Sequence, residues 1–135
     1  MKKQSWFILF LLVLAAAFAF IYIKWNKPPV NVVDESGIRI NAINLFREFS
    51  ENEPLATKNY NGKVLEVTGI VSSTAINLEG KTIVQLQTDD LMFGINCTME
   101  KDPGIINEGE TVTIKGICSG FTTDVILIHC YLIKN

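Results

Sequence analysis

From Trp6 to Ile23 the chain runs through 18 consecutive uncharged, apolar residues. A helix rises about 1.5 Å per residue, so this run spans roughly 27 Å, close to the hydrocarbon thickness of a bilayer. Lys2 and Lys3 precede it, Lys24 and Lys27 follow it, and Trp6, Tyr22 and Trp25 stand at its ends, where amphipathic rings favour the headgroup region. The pattern predicts a membrane anchor within residues 1–27 that contacts the bilayer through residues 6–23. Ala15, Ala16, Ala17 and Ala19 also offer a signal-peptide cleavage pattern, but cutting there would leave Phe20 to Ile23 as an apolar new terminus. A retained anchor is therefore the expectation. Lipid attachment would need a cysteine at the end of the apolar run, and the first cysteine is Cys97. Basic residues nearly balance across the segment; a cytoplasmic N-terminus, with the following domain outside the cytoplasm, is the orientation adopted.

Beyond the anchor, Pro28-Pro29 cannot continue a helix, and residues 28–37 read as a linker. Residues 38–135 are then one domain. Its first part has helical spacing: Ile40, Ile43, Leu45, Phe46 and Phe49 form one apolar face. Ser50 to Pro54 breaks that helix, Leu55 to Tyr60 suits a further short turn, and Asn61-Gly62 makes a tight turn. After Gly62 the period becomes two. The inward phases are Leu65, Val67, Gly69 and Val71; Val84 and Leu86; Phe93, Ile95, Cys97 and Met99; Val112, Ile114, Gly116 and Cys118; and Ile126, Ile128, Cys130 and Leu132. Five short strands, with the longest gap (Glu100 to Glu110) between the third and fourth, predict a mainly β domain: a small five-stranded Greek-key barrel of the OB type with an N-terminal amphipathic helix.

The run Ala42, Leu45, Phe49, Asn52-Glu53, Ala56, Tyr60, Gly62-Lys63, Leu65, Val67, Gly69, Val71, followed by Cys97, Gly109, Val112, Gly116, Cys118 and Cys130, resembles the tRNA_anti-like family of bacterial OB-fold proteins. The resemblance covers about residues 38–133 and implies an OB fold without implying an activity. With the anchor, it places the chain in a bacterial cell envelope, as a single-pass inner-membrane protein with its domain extracytoplasmic.

The three cysteines all fall on inward phases, as buried small hydrophobes do. In an OB barrel the fifth strand lies between the third and the fourth, which puts Cys130 beside both Cys97 and Cys118. A Cys118–Cys130 disulfide is the expectation, with Cys97 left as a buried thiol; such a loop of about 13 residues is worth about 3 kcal/mol. No metal site is expected, because there is no C-x-x-C and alternation sends His129 to the face opposite Cys130. His129 reads as a packed histidine satisfied by a neighbour. His129-x-Tyr131 lacks the His-x-x-x-Tyr spacing of the anchored OB-type haem chaperone that the layout resembles, so no cofactor is expected. With one histidine, no G-x-S-x-G and no phosphate-cradling glycine loop, no catalytic residue can be assigned.

From Pro28 onward there are 8 Lys and Arg against 14 Asp and Glu, a balance of −6. Phosphate recognition wants a basic groove, and the outward phases of the first three strands carry no aromatic side chain, Phe93 falling on the inward phase. Nucleic acid is accordingly a disfavoured partner. Those outward phases instead present Thr68, Gln85, Gln87, Asn96 and Thr98, uncharged groups with donors and acceptors. The sequence thus predicts a non-enzymatic binding module for a protein, a peptide or a small polar ligand; a nucleic-acid-binding OB domain and a haem or cofactor carrier of the envelope are the alternatives.

Overall fold

The computed structural model describes residues 2–26 and 31–133. Lys27, Pro28 and Pro29 lie outside them. The described residues fall into two compact units that divide at residue 30. The first contains one helix, α1 (Lys2–Trp25), exposed along its whole length with a mean hydropathy of 2.7 in its most apolar window. It is long and apolar enough to cross a membrane.

The second unit opens with a capped turn in which Asn31 Nδ2 donates to Asp34 and Val32 is buried. It continues as β1 (Ile38–Asn41), α2 (Ala42–Glu51), α3 (Glu53–Tyr60), β2 (Val64–Ile76), β3 (Thr82–Leu86), β4 (Ile95–Met99), β5 (Thr111–Phe121) and β6 (Val125–Ile133). The helix expected over 40–49 therefore starts at Ala42. Residues 38–41 are a strand, parallel to residues 65–68 of β2. The start is fixed by Asn41, extended at the N-cap, whose Oδ1 accepts from the Asn44 amide at 2.7 Å. Asn52 then serves two helices. Its amide donates to the Glu48 carbonyl at the end of α2, and its Oδ1 accepts from the Leu55 amide at the start of α3, where Pro54 fits the first turn.

Strand order β1-β2-β3-β4-β6-β5, with β5 returning to pair with β2, closes a five-stranded barrel and leaves β1 outside the ring. The long strand β2 serves two neighbours: residues 64–70 pair with β5, and residues from Val71 onward pair with β3 after a bulge at Ser72. β6 lies between β4 and β5, as the OB order requires. The inward residues of β2, β3 and β5 are those the alternation gives, and Leu65, Val67, Val84, Leu86 and Ile114 are fully buried.

β6 departs from the expected phase. Val125 and Leu127, not Ile126 and Ile128, point inward, whereas Cys130 remains in the core. The cause is a bulge at His129, whose φ of 51° is the only positive value at a non-glycine among the described residues; the registers with β4 and β5 both shift beside it. One residue in the left-handed region moves the chain by one step, so the two halves of β6 use opposite phases. Phe93 also departs. It precedes β4 in the 87–94 loop and is partly exposed.

α2 presses Ala42, Leu45, Phe46 and Phe49 into the core. Phe49 stacks on Phe121 at 5.6 Å and lies 6.1 Å from Tyr60, while Phe46 meets Phe121 edge-on at 6.0 Å. The Tyr60 hydroxyl donates to Glu48 at 2.6 Å; partial burial, then that carboxylate, push its pKa up to about 12. The helices thus plug the barrel with aromatic rings.

The expected Cys118–Cys130 bridge is not formed in this structure, where Cys97, Cys118 and Cys130 are buried free thiols. Cys118 stands opposite Leu127, and Cys130 stands opposite Met99 and engages the Cys97 thiol. The Cys130 sulfur occupies the space over Gly116, where a Cβ would come within 2.5 Å of it. Hydrogen bonding to Cys130, then burial, hold the Cys97 thiol well above its usual pKa, and burial raises Cys118.

Candidate functional site

Gln85 and Asn96 are direct partners in the β3–β4 ladder, so their side chains stand on the same outer face. Thr98 is opposite Ile83 on the same two strands, and Gln87 extends the row beyond β3, exposed while its amide donates to the Ile70 carbonyl. The structure brings these four together. Thr68 is elsewhere: it lies in the part of β2 that pairs with β5, and its hydroxyl is bonded to that of Thr113 at 2.8 Å.

At the Gln87 end the row runs into a pocket of about 210 Å³ lined by Ser72, Gln85, Gln87, Thr88, Phe93 and Gly94, among others. Its wall is the 87–94 loop, which is held by its own side chains. The Thr88 hydroxyl donates to the Phe93 carbonyl at 2.7 Å, and Asp90 Oδ1 accepts from the amides of Met92 (2.8 Å) and Phe93 (3.0 Å). Asp124 secures the floor, since its Oδ1 accepts from the Gly94 amide at 2.8 Å and from Gln85 Nε2 at 3.1 Å. Leu91 and Met92 are left projecting into solvent, 103% and 80% exposed. Leu91 and Met92 carry no strand or helix period that would have marked them, and Phe93 was read into the following strand because it continues the alternation of Ile95, Cys97 and Met99.

No Lys or Arg lines the pocket. Arg47 of α2 is paired with Asp89 of the 87–94 loop at 3.1 Å. The acceptors of Asp90 and Asp124 face backbone and amide donors, so the pocket offers neutral groups, an aromatic edge and little free charge.

A second polar cluster lies on the outside of β4 and β6. His129 is exposed, not packed as expected, and its Nδ1 is 2.7 Å from Glu100 Oε2, which also receives Lys81 Nζ at 3.5 Å. The His129 bond, which outweighs the opposing desolvation, holds the Glu100 carboxyl below its usual range, and the Lys81 charge adds a lesser contribution in the same direction. A carboxyl lowered in the folded state stabilises above its unfolded pKa, near 4.3, and loses that contribution as pH falls through the folded value. Because the pair is exposed, Glu100→Gln should cost no more than about 1 kcal/mol at pH 7. The difference should shrink in urea titrations as pH falls below the unfolded pKa, and a cost that does not shrink would assign Glu100 a role other than charge. Among the described residues, no group of three His, Cys, Asp or Glu side chains gathers at metal-binding distance.

A closed five-stranded barrel of this order, plugged at one end by helices and carrying a pocket beside β3 and β4, defines an OB-fold domain. The chain belongs to the tRNA_anti-like family, whose pattern matches residues 1–132. Among solved structures it is similar to a protein of Klebsiella pneumoniae subsp. pneumoniae MGH 78578 provisionally described as a nucleic acid-binding lipoprotein, with 18% identity and a TM-score of 0.54 over 80% of this chain and all of that one. A looser likeness, at 15% identity and a TM-score of 0.44, is to the structure of yeast Stn1 and Ten1, over 76% of this chain and 65% of that one. No curated protein matches the chain.

Proposed function

We propose that the chain is a membrane-anchored, extracytoplasmic binding module that takes a peptide segment or small polar ligand across the β3–β4 face and performs no catalysis. One observation carries this reading: Gln87, Asn96 and Thr98 form an uncharged donor and acceptor row that leads into a pocket with an aromatic wall and no free cation. Neutral amides bind polar partners without the cost of stripping water from ions. The sole histidine is committed to Glu100, just beyond the end of β4, which supports neither a catalytic nor a haem-carrying role for it.

A second reading is favoured by Phe93. Its partial exposure beside the pocket gives a surface on which a base could stack, and the Klebsiella protein is described as binding nucleic acid. The acidic balance of the domain opposes it.

The test separates the two. Gln87→Ala with Asn96→Ala should leave the melting temperature unchanged, since neither side chain holds the loop, whereas Gln85 cannot be used because it supports Asp124. The full chain in detergent is screened against an uncharged peptide library and against single-stranded DNA and RNA at low salt. Peptide binding that the double variant weakens at least tenfold supports the module; oligonucleotide binding lost in Phe93→Ala and steeply salt-dependent supports the second reading instead. Full-length protein should sediment with membranes, and a shortened form in the soluble envelope fraction would replace the anchor with a cleaved leader.

A further inference from the structure

We propose that the outer edge of β2 between Ser72 and Ile76 is a self-association surface, which pairs antiparallel with the same edge of a second copy of this chain.

The hydrogen-bond parity of β2 is fixed at both ends of this stretch. At the hairpin end the Asn77 amide donates to the Lys81 carbonyl at 3.0 Å, so residues 77 and 81 are a bonded pair. With Ala75 opposite Ile83 and Ser73 opposite Gln85, alternation directs the backbone groups of 75 and 73 toward β3 as well. Thr74 and Ile76 therefore turn their N–H and C=O groups away from β3. Beyond the bulge, Val71 turns outward too, but its groups are taken: its amide donates to Glu110 at 2.9 Å and its carbonyl accepts from Gly109 at 2.8 Å. From Ser72 to Ile76 no described strand or loop backbone supplies such partners. The edge is free where the 109–110 cover stops.

Exposed edges are ordinarily blunted by a lysine, a proline or an inward charge. This one has none of them. Residues 69–78 are uncharged, and Ser72, Ser73, Thr74, Ala75 and Ile76 are all exposed, Ile76 by 73%. The bulge at Ser72 limits the free stretch without covering it.

The occupant follows from symmetry and charge. A two-fold axis at Ala75 sets Thr74 opposite Ile76 of the second copy, and the reverse, with Ala75 facing its own counterpart. On the order of four backbone hydrogen bonds result. The facing residues at the centre are small enough for the close spacing of a non-bonded pair, and a Thr–Ile pair is a favourable cross-strand contact. The domain carries an acidic excess that would repel a second copy over most faces, and the uncharged stretch is where two copies can meet without opposing carboxylates. So short an edge falls below the area of a stable interface. The pairing is therefore weak in dilute solution and strengthened where copies are confined; the strengthening, though not the pairing, rests on the membrane-anchored reading.

Amide hydrogen exchange on the full chain in detergent micelles, followed residue by residue as protein concentration rises, tests it. Ser73 and Ala75 should be protected at every concentration, whereas Thr74 and Ile76 should slow at least tenfold as concentration increases. Ala75→Cys should cross-link to itself under mild oxidation faster than Lys58→Cys, an exposed control on α3. Thr74→Pro removes an outward N–H without removing a ladder bond, and Thr74→Lys places a charge on the edge; both should abolish the slowing. Thr74 and Ile76 amides that stay fast at all concentrations, slowing that survives Thr74→Lys in a folded protein, or cross-linking no faster than the control would each overturn the proposal. Association through α1, or capture of another protein's strand instead, would give the first of these results.

Discussion

Phe49→Ala should destabilise the domain by about 3–5 kcal/mol, the range for removing a fully buried aromatic ring. Phe49 is 1% exposed and sits between the Phe121 and Tyr60 rings. Its loss opens a void at the barrel end, removes two aromatic contacts, and leaves Phe46 and Phe121 without the surface they close on. Domains of this size are stable by only about 5–15 kcal/mol, so the variant should unfold at a much lower urea concentration. Ile43→Ala, on the exposed side of the same helix at 41% exposure, is the control and should cost well under 1 kcal/mol. Similar midpoints for the two variants would mean that α2 does not plug the barrel.

Gly94→Ala should be the most damaging single-methyl addition in the domain, about 3 kcal/mol, at the upper end of the overpacking range. A Cβ at Gly94 would collide with the Leu86 carbonyl oxygen, which is backbone and cannot rotate away. The same residue donates to Asp124 and accepts from the Val125 amide at 3.0 Å, so displacing it disturbs the floor of the pocket and the start of β6 together. Gly80→Ala, in an open hairpin turn, meets no atom and should cost only the strain of its φ of 79°. If Gly94→Ala proved the milder of the two, the backbone at the pocket floor would be more pliable than the packing describes.

Where side-chain period decided the matter, the fold was readable. Leu65, Val67 and Val71, or Val112, Ile114 and Cys118, can satisfy an inward phase in one way only, and the strands follow. The helix plug was equally plain in Leu45 and Phe49, since a period of 3.6 cannot be mistaken for one of 2 over ten residues. The places that resisted reading are those where the period is interrupted. β6 carries apolar residues on both phases from Val125 to Ile128, so nothing in its pattern announced that His129 would shift the register. Ile40 and Asn41 were drawn into the helix because Ile40 and Ile43 are three residues apart, and only the capping geometry of Asn41 separates strand from helix there. At the candidate site, strand alternation sufficed to group Gln85, Asn96 and Thr98. It could not reveal that Gln85 is tied to Asp124, a partner 39 residues away, or that Thr68 lies on a part of β2 that has already turned toward β5.

The closing ladder of the barrel imposes an order in time. Val64 pairs with Ile117, so β2 waits for a stretch of chain some fifty residues further on before its first half has an antiparallel partner. The α2–α3 elbow, built on contacts between near neighbours and a shared asparagine, can form as soon as its residues are available. It does so with Phe49 still lacking Phe121, which comes at the end of β5. Loop closure over such a span is the slow kind of event in small β-barrels. While the chain is being made, the plug therefore exists before the vessel it stops, and its aromatic face remains open to water until the last third of the sequence arrives.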